Sequence, residues 1–167
     1  MATTTDDPVF GQHMTFAEAD GRLTVDLVLD PGGSIPNHLH PKTVEHWTLC
    51  EGEVTITVAG EDRQPAPGEV VMVEAGTPHA VRNDGTRPAI LRAEVDPAGA
   101  MRRCLEDGAA FNRDGRLTPR GLPKSWSALR DAATFVVRYA DTTVLLMPPP
   151  FPPRIVQRTL LPLLARR

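Results

Sequence analysis

The stretch that most constrains this chain runs from Gly32 to Gly52, GGSIPNHLHPKTVEHWTLCEG. It places His38, His40 and Glu45 between two glycine turns. Successive side chains of a β-strand point to opposite faces, so His38 and His40, two residues apart, point the same way. Glu45 lies five residues past His40, an odd offset that would put it on the other face of an unbroken strand. Pro41 and Lys42 interrupt the strand and reset that parity, because proline cannot donate to a ladder. Two imidazoles and a carboxylate converging on one point form a set suited to a divalent metal with an open coordination position.

Around this stretch the pattern is one of short strands and turns. Arg22–Leu29 alternates Leu23, Val25, Leu27 and Leu29 against Asp26, a half-buried strand preceded by an Asp20-Gly21 hairpin signal and a weak strand at Met14 and Phe16. His13 has no partner pattern and reads as a surface histidine, and residues 1–9 read as frayed. After Glu45, alternation puts Trp47 and Leu49 inward with it and His46 and Cys50 outward. Trp47 would then flank the metal, as barrel packing or as a substrate contact. Strands follow at Val54–Val58, at Val70–Val73, whose continuous apolar run reads as buried, and at Ala89–Val95.

Together these residues resemble the cupin family. Its first motif, G-x5-H-x-H-x4-E-x6-G, is met by Gly32, His38, His40, Glu45 and Gly52. Its second, G-x5-P-x-G-x2-H-x3-N, is met by Gly68, Gly76, His79 and Asn83, with Glu74 in place of the usual proline. The resemblance implies an all-β fold: a small antiparallel barrel (double-stranded β-helix, jelly-roll) over residues 10–97. It also implies His38, His40, Glu45 and His79 as ligands of one divalent transition metal, and a homodimer. Three imidazoles and a carboxylate suit Fe, Mn, Ni, Cu or Zn without choosing among them. Glu45 can remain a ligand or swing away to accept a proton. Glu74 reads as a solvent-facing turn residue, with support of a ligand as the alternative.

The texture changes after Pro97. Residues 98–167 read as a helical, proline-interrupted C-terminal extension: a helix over 98–112 with Met101, Leu105 and Phe111 on its apolar side, and another from Ser125 to Asp141 with Trp126, Leu129, Ala133, Val136 and Val137 as its stripe. Residues 143–147 are apolar, a strand or a helix end, and Pro148–Pro153 is an extended spacer. Residues 154–167 are basic and leucine-rich, to be docked on the protein or laid on a membrane surface as a peripheral contact. Residues 1–97 carry 6 Lys and Arg against 16 Asp and Glu, and residues 98–167 carry 12 against 5, which together give the net −3 of the chain. An acidic barrel and a basic extension of this kind attract each other.

Composition narrows the function. Net charge of −3 and 5% aromatic residues argue against a nucleic-acid partner. Two cysteines without metal spacing read as free thiols, and the N-terminus lacks the pattern of a secretory signal, so a cytoplasmic setting is expected. The leading expectation is a metal-dependent enzyme on a small organic substrate, either a dioxygenase or an isomerase or cyclase. A non-catalytic cupin that binds a small ligand or a metal, as sensor or store, is the alternative.

Overall fold

The protein is described by a computed structural model, which covers residues 4–118, 121–146, 159 and 161–165. Pro119, the proline spacer at 148–153 and most of the basic segment from 154 lie outside the described residues.

Two antiparallel sheets face each other. The first holds six strands in the order β1 (Thr5–Asp7), β2 (Gln12–Ala19), β3 (Arg22–Leu29), β10 (Ala89–Asp96), β5 (Val44–Glu51) and β8 (Val70–Val73). The second holds five, in the order β11 (Val144–Leu145), β4 (Ser34–Leu39), β9 (His79–Arg82), β6 (Thr55–Val58) and β7 (Glu61–Arg63). This is a jelly-roll, but the two sheets are not joined by hydrogen bonds into the closed barrel that the sequence suggests.

Local chemistry explains the long hairpin. Asp20 and Gly21 both take positive φ, 51° and 76°, as a two-residue turn matched to strand twist demands. β2 and β3 then pair from Ala19↔Arg22 to Gln12↔Leu29. In β3, Leu23, Val25, Leu27 and Leu29 are buried and the residues between them face outward. β10, between β3 and β5, repeats the pattern with Ala89, Leu91, Ala93 and Val95. β8 is different from its sequence reading. Val71 and Val73 are buried, but Val70 and Met72 are 54% and 50% exposed, because β8 is an edge strand with one face open to solvent.

Asn83 ties the sheets together at one end. Its side-chain amide donates to Leu29 O at 2.9 Å and Arg87 O at 2.8 Å, and its Oδ1 accepts from Gly85 N at 2.9 Å. Gly52, with φ 89°, lies so close to β10 that a Cβ there would stand 2.9 Å from Ala89 Cα.

Two helices follow the sheets, α1 (Met101–Arg113) and α2 (Trp126–Arg138). α1 buries Met101 and Ala109 in the core of the sheets, while Leu105 packs against that core and Phe111 is half-buried. α2 is capped by Ser125, whose hydroxyl accepts from Ala128 N at 3.1 Å. Its buried positions are Ala128 and Ala133; of the predicted stripe, Leu129 and Val136 are half-buried, whereas Trp126, 65% exposed, and Val137 face solvent. Phe135 packs where a Cβ on Gly108 of α1 would meet its ring at 3.4 Å. The helical turn Leu161–Leu164 lies against α2, with Leu161 buried and Leu163 exposed.

Residues 5–7 are not frayed as the sequence suggests. Thr5–Asp7 pairs with Gln12–Met14, and Arg113 of α1 donates to Asp6 O at 2.7 Å. Nor is His13 unpartnered: its ring nitrogens contact Asp6 Oδ1 at 2.8 Å and Asp30 Oδ2 at 3.2 Å. Charge attraction across the two halves is slight. Among the ion pairs of the described residues, Arg102–Glu18 at 3.8 Å joins them, whereas Arg138–Asp107 and Arg102–Glu106 stay within the extension. Among the described residues, burial of α1, the pairing of β11 with β4 and the hydrogen bonds of Asn112 and Arg113 to Asp7 and Asp6 join the extension to the sheets.

Candidate metal centre

Four side chains meet between the sheets. β4 and the residue after it supply His38 and His40, β5 supplies Glu45, and β9 supplies His79. Pro41 and Lys42 form the predicted bend, so Glu45 faces the histidines although its offset from them is odd. The loop before β9 is anchored to the same place by Gly76 N, which donates to His40 O at 2.7 Å. All four side chains are buried, and one ligand-type atom from each lies within 4.8 Å of the others.

The hydrogen bonds of the rings decide what this cluster can hold. His38 Nδ1 is 2.7 Å from Pro36 O, His40 Nδ1 is 2.8 Å from Thr142 O, and His79 Nδ1 is 3.1 Å from Thr77 O. A carbonyl only accepts, so each ring carries a proton on Nδ1 and, when neutral, leaves a bare lone pair on Nε2. Those lone pairs face one another and Glu45. His38 Nε2 is 2.9 Å from His40 Nε2, His40 Nε2 is 3.2 Å from Glu45 Oε1, and His79 Nε2 is 3.0 Å from Glu45 Oε2. His79 Nε2 makes no hydrogen bond despite that proximity, because its remaining lone pair points at an oxygen with no proton to share. It is the sole buried side-chain nitrogen or oxygen without a hydrogen-bond partner among the described residues.

Ionisation follows the same lines. Burial lowers His38 to about 3, with His79 and His40 adding repulsion, so its ring stays neutral. Burial also opposes charge on His40, but the Glu45 carboxylate and the Thr142 carbonyl outweigh it and raise its pKa. Burial would raise Glu45, but the contact with His40 holds it well below the usual carboxylate range. A single proton on His40 can be given to Glu45 or His38, but it leaves His79 Nε2 unanswered. A cation at the centre answers all four donors at once. The His/Glu cluster therefore fits a metal ion.

The centre opens on a cavity of about 180 Å³. His38 and His40 line it, and the walls are mainly apolar, with Phe10, Phe111 and Phe135 among them. Both helices and residues Thr143 and Leu145 line it, so the extension covers the space in front of the histidines. Its polar spots include Asp7, raised by burial and held by Asn112 Nδ2 at 2.6 Å. Cys104 also lines it, but burial and the nearby Asp107 push its thiol up to about 12, so it remains a protonated, inert thiol.

Trp47 is not on the cavity wall. It is buried in the core, and its indole Nε1 donates to Glu45 Oε2 at 2.9 Å. His46 faces away from the cluster on the outer side of β5, opposite Met72 and Glu94, and Glu74 is an exposed turn residue. Sequence patterns did not reveal Thr142, whose contribution is a backbone carbonyl that any residue could supply.

Comparison with known proteins agrees with this geometry. Residues 25–95 match the cupin domain family. The chain is 33% identical over 89 residues to quercetin 2,3-dioxygenase of Bacillus subtilis (strain 168), which covers 50% of this chain and 26% of that protein. It is 32% identical over 71 residues to the tetracenomycin polyketide synthase protein TcmJ of Streptomyces glaucescens, covering 42% of this chain and 48% of that one. The chain thus spans about a quarter and about half of the lengths of these two relatives. Its fold is that of an RmlC-like cupin from Shewanella frigidimarina NCIMB 400, with a TM-score of 0.54 at 19% identity, over 59% of this chain and 86% of the other. At that identity the likeness shows the shared fold alone. With both motifs in place, the four side chains gathered and the jelly-roll around them, this chain is a cupin-domain protein.

Proposed function

We propose that this protein is a metal-dependent enzyme acting on a small, largely apolar organic molecule, with oxidation by dioxygen as its first-ranked chemistry. The observation that carries this reading is the meeting of three imidazole Nε2 atoms and a carboxylate beside an apolar cavity that His38 and His40 line. Similarity to a protein named as a dioxygenase supports the oxidative form.

His38, His40, Glu45 and His79 would hold one divalent ion. Such an ion supplies Lewis acidity toward a substrate oxygen and, when redox-active, electrons for oxygen chemistry. The chain's own residues do the rest. Phe10, Phe111 and Phe135 bind the apolar body of the substrate and exclude water from the histidines. Glu45, ionised and buried, can take a proton at a carboxylate oxygen from a substrate hydroxyl or an acidic C–H. Trp47, packed in the core, fixes that carboxylate through its N–H in a positioning role.

A second reading is isomerisation or cyclisation of an enolisable carbonyl compound without oxidation. Similarity to a polyketide synthase protein favours it. For assembly, the exposed Val70 and Met72 on edge strand β8 support a homodimer formed along that edge.

Oxygen uptake separates the two chemistries. Protein loaded with Fe(II) or Mn(II) is incubated with a panel of hydroxylated aromatic compounds and 1,3-dicarbonyls. Uptake that requires the substrate, the metal and Glu45 supports oxidation. Turnover of the same compounds under anaerobic conditions supports isomerisation. Tight binding of panel compounds with no turnover in either atmosphere would overturn the enzyme reading in favour of a ligand-binding cupin.

A further inference from the structure

The three imidazoles are not held alike. His38 and His79 each give their Nδ1 proton to a carbonyl two residues earlier in the chain, Pro36 O and Thr77 O. Those contacts come with the local backbone. His40 gives its Nδ1 proton to Thr142 O, 102 residues away in the C-terminal extension.

Thr142 is held firmly in turn. Its N–H and that of Thr143 both donate to Tyr139 O at 2.8 Å, just past α2. The Tyr139 hydroxyl donates to Asp107 Oδ2 of α1 at 2.5 Å. On the other side, β11 pairs with the histidine strand itself, Val144↔Leu39 and Leu145↔His38, and Leu146 N donates to Asn37 O at 2.8 Å. The extension therefore adds a strand beside β4 and delivers one carbonyl to the third ring.

We infer that the C-terminal extension is a working part of the metal centre, with the Thr142 backbone carbonyl as the positioning group that fixes the orientation and tautomer of His40. This rests on the reading of the four side chains as metal ligands. Without the carbonyl, His40 is free to move its proton to Nε2 and to rotate, and one of the four donors is withdrawn. Partners of this kind, which orient a ligating histidine through its second nitrogen, typically change metal affinity by about 10–100-fold when removed. Attachment of the extension and occupancy of the site then stabilise each other by the same factor, as linkage requires.

The test uses Leu146→Pro in the full chain. It deletes the N–H that donates to Asn37 O, while substituting none of the four ligands and no residue that lines the cavity. Leu146→Ala, which keeps the N–H, is the conservative control. Zinc-loaded protein with 15N-labelled histidine is examined by long-range imidazole NMR, and zinc loss to excess chelator is timed. In the native protein His38, His40 and His79 should each carry the proton on Nδ1. In Leu146→Pro, His40 alone should lose its slowly exchanging Nδ1 proton, and zinc should leave about tenfold faster. Leu146→Ala should match the native protein in both respects.

A native His40 protonated on Nε2 would overturn the inference without recourse to any variant. So would a folded Leu146→Pro protein with an exposed Leu39 amide but an unchanged His40 and zinc release. Native protein that refuses zinc counts against the ligand reading instead. In that case the His40 tautomer of the metal-free protein above pH 8 still decides the inference.

Discussion

Asn83→Ala gives a sharp test of how the histidine strands are held. Asn83 is 1% exposed, and its side chain makes three hydrogen bonds, to Leu29 O, Arg87 O and from Gly85 N. They join the end of β9, which begins at His79, to the end of β3 and to the turn leading into β10. Alanine removes all three and leaves two carbonyls and an N–H in a buried place. At about 1 kcal/mol net per bond the loss is about 3 kcal/mol. For a chain of this size that lowers Tm by roughly 6–12 °C. The backbone bonds from Asn83 N to Gly33 O and from Gly32 N to Asn83 O do not depend on the side chain, so the variant should still fold. Urea unfolding with chelator present isolates the effect from metal linkage. Asn83→Asp sharpens the result: it puts carboxylate oxygens against two carbonyls, so its loss at neutral pH should be at least as large and should shrink in acid as the carboxyl protonates. An Asn83→Ala loss below about 1 kcal/mol, or an aspartate variant as stable as the native protein, would refute the staple.

Three further outcomes are expected. Gly52→Ala, at φ 89° and with its Cβ 2.9 Å from Ala89 Cα, should cost roughly 2–4 kcal/mol by denaturant titration, since left-handed strain alone is about 1–2 kcal/mol and the neighbour is backbone. Trp47→Phe keeps most of the packing but loses the N–H on Glu45 Oε2, so metal affinity by competitive titration should fall about tenfold with little change in fold. His13 is raised above 6.5, chiefly by its hydrogen bond to Asp6 and then that to Asp30. Its contribution is fully present below pH 6.5 and is lost as pH rises through the folded value; a stability–pH profile should decline there, and His13→Gln should flatten the decline.

The sequence made the centre of the molecule readable because two strong signals coincide there. Alternation set the inward faces of β3 and β5, and motif spacing named the histidines, Glu45 and Asn83. What it left out depends on distance. β11 is two residues long, and its partner strand lies about a hundred positions earlier, so no local pattern announces it. β1 reads Thr-Asp-Asp, a polar run that becomes a strand through Asn112 on Asp7 and pairing with β2. Val70–Val73 looks uniformly buried because an edge strand and a central one share the same apolar composition; neighbours, not residues, distinguish them. The helical stripe of α2 holds only in part: Ala133 is buried and Leu129 and Val136 are half-buried, while the larger Trp126 is turned to solvent and a small alanine, Ala128, is buried outside the stripe.

The claim at the centre of this account is that four buried side chains hold one metal ion. Its direct measurement is elemental analysis of protein purified without chelator, beside His40→Ala. The account predicts close to one equivalent of a single divalent transition metal per chain in the native protein, and a large loss in the variant. Native protein that is free of metal and takes up none of Fe, Mn, Ni, Cu or Zn on titration would contradict it.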